Sequence, residues 1–230
     1  MRILHNSDFL ALWEAGRLLH PLDQGILAVQ AAFPEHDGRV ADWPIGRRNR
    51  ALAELRCAVF GAALRGWIAC RQCSEQLEFE IDGRSLAGGT AAERVLVQGH
   101  AFRLPTSRDL AAVVHEPDET VAARRLLQQC AEDELPESAW NEKQIEIVGE
   151  SMAATDPLAE IRLSFDCPSC GAHFEESLDL PSFIWEEVEA RGKQLLMQVH
   201  TLASTYGWSQ AEILSLSPGR RDFYMEMVRA

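Results

Sequence analysis

An α+β fold, mostly helical, is what this sequence predicts, and three observations carry the prediction. Two Cys-x-x-C pairs, Cys70/Cys73 in "CRQC" and Cys167/Cys170 in "CPSC", each lie between segments with the two-residue alternation of a half-buried strand. The remainder consists of runs with helical spacing, several opened by proline or by a serine, threonine or aspartate cap. With 230 residues and 47% hydrophobic content, the chain is long enough for one good core or two small ones.

Residues 1–66 read as a helical segment. Ser7 or Asp8 caps a first helix bearing Phe9, Leu10, Leu12, Trp13, Leu18 and Leu19; Pro21 starts a second with Ile26, Leu27 and Val29; Pro44 starts a third that runs through Leu52, Leu55 and Val59 to Gly61. Residues 67–83 and 159–180 form two strand-knuckle-strand units. In the first, Leu77, Phe79 and Ile81 alternate with Glu78, Glu80 and Asp82; in the second, Ile161, Leu163 and Phe165 alternate with Arg162, Ser164 and Asp166. Pro168 presets φ and Gly171 accepts left-handed backbone, so the second knuckle has good turn chemistry, whereas Arg71, Gln72 and Ser74 make the first a poorer turn.

Residues 84–158 are an inserted, mostly helical subdomain. Two short strands flank Gly99, Thr106 or Ser107 caps "RDLAAVV", Asp118 caps "ETVAARRLLQQC", and "AEDELPESAWNE" is an acidic loop before a helix with Ile145, Ile147, Val148 and Met152. Residues 181–230 form a C-terminal helical segment. Pro181 opens a long helix to about Thr205, Ser209 and Glu212 form a capping box, and Ser217 and Pro218 open the last helix; Leu214, Leu216, Phe223, Tyr224, Met227 and Val228 are its expected core.

The two-residue cysteine spacing lets both sulfurs of one turn point at one ion. Cys73 and Cys167 are separated by 93 residues (167 − 73 − 1), and closing such a loop costs on the order of 4 kcal/mol. Structural zinc contributes roughly 10–16 kcal/mol. One zinc ion shared by Cys70, Cys73, Cys167 and Cys170 is therefore expected, making the two units halves of a split zinc-ribbon-like core. Two separate or vestigial sites, a redox dithiol and paired disulfides are the alternatives. A redox pair favours a strand-to-helix junction, but strands follow both pairs here; disulfides are disfavoured without a secretory signal. His173 lies near in sequence, yet four thiolates complete a shell. Cys57 and Cys130 fall in helical patterns and read as core thiols.

Charge narrows the partners. Thirty-five acidic against 22 basic residues leave a net charge of −13, which repels a phosphate backbone and argues against nucleic acid. Neither a secretory signal nor an eighteen-residue apolar run is present, so a cytoplasmic protein away from membranes is expected. A closed four-thiolate shell offers no open coordination position, and no phosphate loop, nucleophile elbow or HExxH occurs, so no enzyme and no small-molecule substrate are expected. Two arginine pairs, Arg47/Arg48 and Arg220/Arg221, stand in first turns of helices, the unfavourable end of the dipole for cations. They are the candidate partner-binding residues, set against a solvated or internally paired face.

At "CPSCG" (167–171) and "YGWS-x-x-EIL-x-L-x-x-x-RR-x-x-Y" (Tyr206 to Tyr224) the chain resembles proteins encoded among phage-tail and contractile-injection genes, commonly grouped with baseplate-hub assembly chaperones of contractile-tailed phages. The N-terminal helices and "WIACRQCSEQLEFEID" are similar to the same group; residues 84–100 and 131–142 are least so. The resemblance implies a non-catalytic assembly factor or minor baseplate-associated structural protein of a phage-tail-like particle, cytoplasmic or incorporated in it, with tail and baseplate proteins as partners. A general zinc-ribbon adaptor for other proteins is the alternative.

Overall fold

The computed structural model describes every residue except 3, 37, 89–91, 137–139 and 230. In chain order the helices and strands are α1 (Asn6–Gly16), α2 (Pro21–Ala32), α3 (Ile45–Phe60), β1 (Ala63–Ala69), β2 (Gln76–Asp82), α4 (Arg84–Ala87), β3 (Arg94–Val97) and β4 (His100–Arg103), then α5 (Ser107–Val113), α6 (Glu119–Cys130), α7 (Glu142–Thr155), β5 (Ile161–Asp166), β6 (His173–Leu178), α8 (Leu180–Tyr206), α9 (Gln210–Ser215) and α10 (Pro218–Arg229). Helix accounts for 57% of the chain, and the strands form three two-stranded antiparallel sheets, β1–β2, β3–β4 and β5–β6. The mixed, mostly helical expectation is met at that level.

The grouping of elements differs from the sequence expectation. Met1–Pro34 and Pro181–Ala230 make one compact unit and Glu35–Leu180 another, so α3 belongs with the hairpins and the insert, while the first two helices join the C-terminal ones.

In the first unit, α1 and α8 approach closely because each offers a glycine to a tryptophan of the other. A Cβ at Gly16 would lie 2.1 Å from the Trp185 ring, and one at Gly192 would lie 2.8 Å from Trp13. Asp8 belongs to the first turn of α1, accepting a hydrogen bond from the His5 amide, so the helix starts before the Ser7 or Asp8 cap read from sequence. The Ser209–Glu212 capping box forms as expected. Leu202, Ile213 and Met225 are the buried core beside α9 and α10, with Tyr224 and Val228 partly buried against them. Phe223 and Met227, expected inside, are exposed. Two phases on α10 offer an i, i+4 apolar pair; the buried phase is Arg221, Tyr224, Met225 and Val228, which includes an arginine.

In the second unit the insert has its own core: Val97, Phe102, Leu104, Leu127, Cys130, Trp140, Val148 and Met152. Phe102 meets Trp140 edge to face with centroids 6.4 Å apart. Gln98 and Gly99, both at positive φ, make the two-residue turn between β3 and β4. Thr106, Asp118 and Asn141 cap α5, α6 and α7 by accepting backbone N–H groups. Asp109 is buried and paired bidentately with Arg103. Desolvation pushes its carboxyl up, but Arg103 and Thr106 outweigh that and hold it below its ordinary value.

The first turns of α3 bond to the insert at Pro105, just after β4, and at its C-terminal end. The Ile45 amide donates to Pro105 O (3.0 Å), the Gly46 amide to Asp156 Oδ2 (2.9 Å), and Asn49 Nδ2 to Leu158 O (2.7 Å). A Cβ on Gly46 would overlap the Asp156 carboxylate, so only glycine permits this approach. Residues 49 and 158, one on α3 and the other just before β5, are thereby pinned together.

Candidate metal centre

Each Cys-x-x-C pair sits in the turn of a hairpin, and the two turns share their backbone geometry. In the first, the Cys70 amide donates to Glu75 O (2.8 Å) and the Ser74 amide to Cys70 O (2.9 Å); in the second, the Cys167 amide donates to Ala172 O (2.9 Å) and the Gly171 amide to Cys167 O (2.9 Å). The flanking register repeats as well, with Ala69 opposite Gln76 and Asp166 opposite His173. A single offset of 97 residues (167 − 70) superposes every one of these positions. The left-handed position is Gly171 (φ 73°) in one copy and Ser74 (φ 61°) in the other, so the first knuckle adopts the same turn despite lacking glycine.

The hairpins face each other and their four sulfurs converge. Cys70 Sγ lies 3.7 Å from Cys170 Sγ and Cys73 Sγ 3.5 Å from Cys167 Sγ, and all four lie within 4.8 Å of one another. A tetrahedron with metal–sulfur bonds of about 2.3 Å has edges of about 3.8 Å, so the spacing fits a four-thiolate ion site. Cys70 and Cys167 are buried, while Cys73 and Cys170 are exposed. Phe79 of the first hairpin meets Phe165 of the second edge to face at 5.7 Å, Phe165 stacks on Phe174 at 5.5 Å, and Arg71 forms an exposed ion pair with Glu176 across the two hairpins.

The thiols' acidities show why a cation suits this cluster. Backbone amides of Cys73 and Gln72 lower Cys70 to about 7. At Cys73 the Glu75 amide pulls the other way, but the sulfurs of Cys167 and Cys170 together with desolvation push it up to about 12. Cys170 is raised too: the Ala172 amide and the Cys73 sulfur lower it, but desolvation and the sulfurs of Cys167 and Cys70 outweigh them. The Cys70 thiolate is favoured and those of Cys73 and Cys170 are opposed; a bound cation removes that opposition. These four residues could hold a metal ion such as zinc.

The other cysteines take no part. Cys130 is fully buried in the insert core, and desolvation raises its thiol to about 12; Cys57, on α3, is raised mainly by desolvation. His173 is outside the cluster, its Nδ1 paired with Asp166 Oδ1 at 3.0 Å.

The four candidate arginines divide into two kinds. Arg47 lies over the Trp43 ring at 4.2 Å and near Glu93 at 3.8 Å, with 37% of its side chain exposed, and Arg220 is exposed beside Tyr224. Arg48 and Arg221 are corrected from surface to interior. Arg48 donates to Ser107 Oγ and Asn49 Oδ1, and burial lowers its pKa to about 10. Arg221 donates to Gln198 Oε1 (2.7 Å) and Leu216 O (3.0 Å). Its remaining terminal nitrogen is buried without a partner. Helical spacing turned one member of each pair inward, and polar groups far away in sequence received it.

Sequence reasoning passed over Trp67, which stands exposed on β1 three residues before Cys70. A tryptophan opposite the charged run Glu78, Glu80 and Asp82, on the strand face away from Leu64 and Ile68, was the available signal.

No helix among the described residues is long and apolar enough to cross a membrane. Compared with protein-family models, curated proteins and solved structures, the chain gives no significant match.

Proposed function

We propose that the four thiolates hold one structural zinc ion, and that the protein is a non-enzymatic scaffold working through protein–protein contacts. The observation that carries this reading is the convergence of four sulfurs within 4.8 Å from two hairpin turns 97 residues apart. Four sulfurs fill a tetrahedral shell, so such an ion staples and does not catalyse. In this reading the hairpins are the two halves of a split zinc-ribbon-like module. The particle setting, as an assembly factor or minor baseplate-associated protein of a phage-tail-like contractile particle, rests on the sequence resemblance alone, most specifically on "CPSCG" and the Tyr206–Tyr224 pattern.

One preparation tests both parts: the full chain recovered from its native host, with metal quantified and co-purifying proteins identified by mass spectrometry. About one zinc per chain together with sheath, tube or baseplate proteins is the expected result. Two zincs or none overturns the shared site, and recovery of partners unrelated to tails replaces the particle by a general adaptor role.

A further inference from the structure

The outer face of the β1–β2 hairpin carries Arg65, Trp67 and Ala69 on β1 opposite Glu80, Glu78 and Gln76 on β2, with Asp82 opposite Ala63. Every residue of this face except Ala63 is exposed. Trp67 has 67% of its surface in water, and a groove of about 450 Å³ runs beside it, lined by Arg65, Gly66, Trp67, Glu78, Phe79 and Glu80. Directly opposed residues of an antiparallel pair have Cβ atoms about 5 Å apart, so Glu78, opposite Trp67 and lining the same groove, has its carboxylate within reach of the indole. Neither group is occupied by the protein itself. Arg65, the one cation on this face, is held by Glu80 at 2.6 Å, and among the described residues Glu78 has no ion pair or hydrogen bond and Trp67 no ring or cation contact.

We infer that this face docks a lysine- or arginine-bearing segment of a partner protein, with the cation on the Trp67 ring and its charge met by Glu78. An indole face attracts ammonium and guanidinium groups, more strongly where a carboxylate accepts their N–H donors. Charge complementarity selects the occupant. Arg65 meets Glu80 and Arg84 meets Asp82, which leaves the Glu78 charge unmatched on the face, and the chain carries −13 overall. A phosphate-bearing ligand or an anionic lipid surface meets repulsion here, and so does a second copy of the chain. The inference rests on the protein-contact part of the proposed function and needs no metal identity.

The test uses the full chain, uniformly labelled with 15N, and a capped nine-residue peptide alternating lysine and threonine, with a glutamate–threonine peptide as control. The indole N–H signal of Trp67, assigned from its disappearance in Trp67→Phe, reports binding. Expected is a saturable shift of that signal with the lysine peptide only, and a two- to fivefold weaker affinity in Glu78→Gln. Trp67→Ala, followed at backbone amides of β2, weakens binding similarly, whereas Phe223→Ala, which alters an exposed ring in the other unit, does not. The inference is overturned by no shift, by equal shifts with both peptides, by unchanged affinity in Glu78→Gln, or by a Trp67→Ala effect that sedimentation shows to be loss of self-association. Zinc is quantified in each sample. Binding that persists in a zinc-free preparation removes the staple and leaves this surface standing; a full zinc complement without peptide binding does the reverse.

Discussion

Removing the ion should open the hairpins from each other while leaving the insert folded. Asn49 and Leu158 are already pinned by a hydrogen bond, so the segments still to be brought together run 21 residues to Cys70 (70 − 49) and 9 residues from Leu158 to Cys167 (167 − 158). A loop of this combined length costs about 3 kcal/mol to close, and about 4 kcal/mol if the pin is ignored. Against that cost, the ion aside, stand the Phe79–Phe165 edge contact, worth about 0.5–1.5 kcal/mol beyond area burial, and the exposed Arg71–Glu176 pair, which salt screens. These contacts offset about 1 kcal/mol, so about 2 kcal/mol of the closure cost falls to the ion and to the area the hairpins bury against each other. Hydrogen exchange read by mass spectrometry, before and after chelation with metal loss measured in parallel, tests this directly. Protection in Gly66–Ala69, Gln76–Phe79 and Phe165–Asp166 should fall by about tenfold or more, while Phe102, Leu104 and Val148 keep theirs. Retained hairpin protection after complete metal loss, or uniform loss across the second unit, would refute the reasoning.

Charge reversal separates the two arginines of the last helix. Arg221→Glu places a carboxylate against Gln198 Oε1 and Leu216 O in a fully buried site, and should cost about 3–5 kcal/mol in denaturant unfolding; Arg220→Glu should leave the midpoint nearly unchanged, and equal effects would show that Arg221 is not interior. Ser74→Gly removes the penalty of a left-handed non-glycine residue and should stabilise the first knuckle by about 1 kcal/mol, seen as slower metal release to a competing chelator; faster release would mean that the serine side chain supports the turn.

What could be read from the sequence is what local chemistry decides. The capping residues Asp118 and Ser209 lie within three positions of the amides they satisfy, and the helices they open begin where expected. The cysteine pairs are local in the same sense: a knuckle is a six-residue turn, and strand alternation on either side orients it. Ser74 shows the limit of reading the turn by residue type, since its backbone matches that of Gly171 while its identity argues against it. The rest is decided across long separations. Helices α1 and α8 meet through Gly16 with Trp185 and Trp13 with Gly192, partners more than 160 residues apart whose small-against-large match appears only once both helices are placed. Arg48 and Arg221 carry the same lesson for the site. A charge enters a core only when distant acceptors replace its water, and Ser107 and Gln198, which do so here, lie 59 and 23 residues away. In a doubled arginine the unit of function is therefore the single residue, because one helical step of about 100° separates a buried polar clamp from a solvent-facing charge.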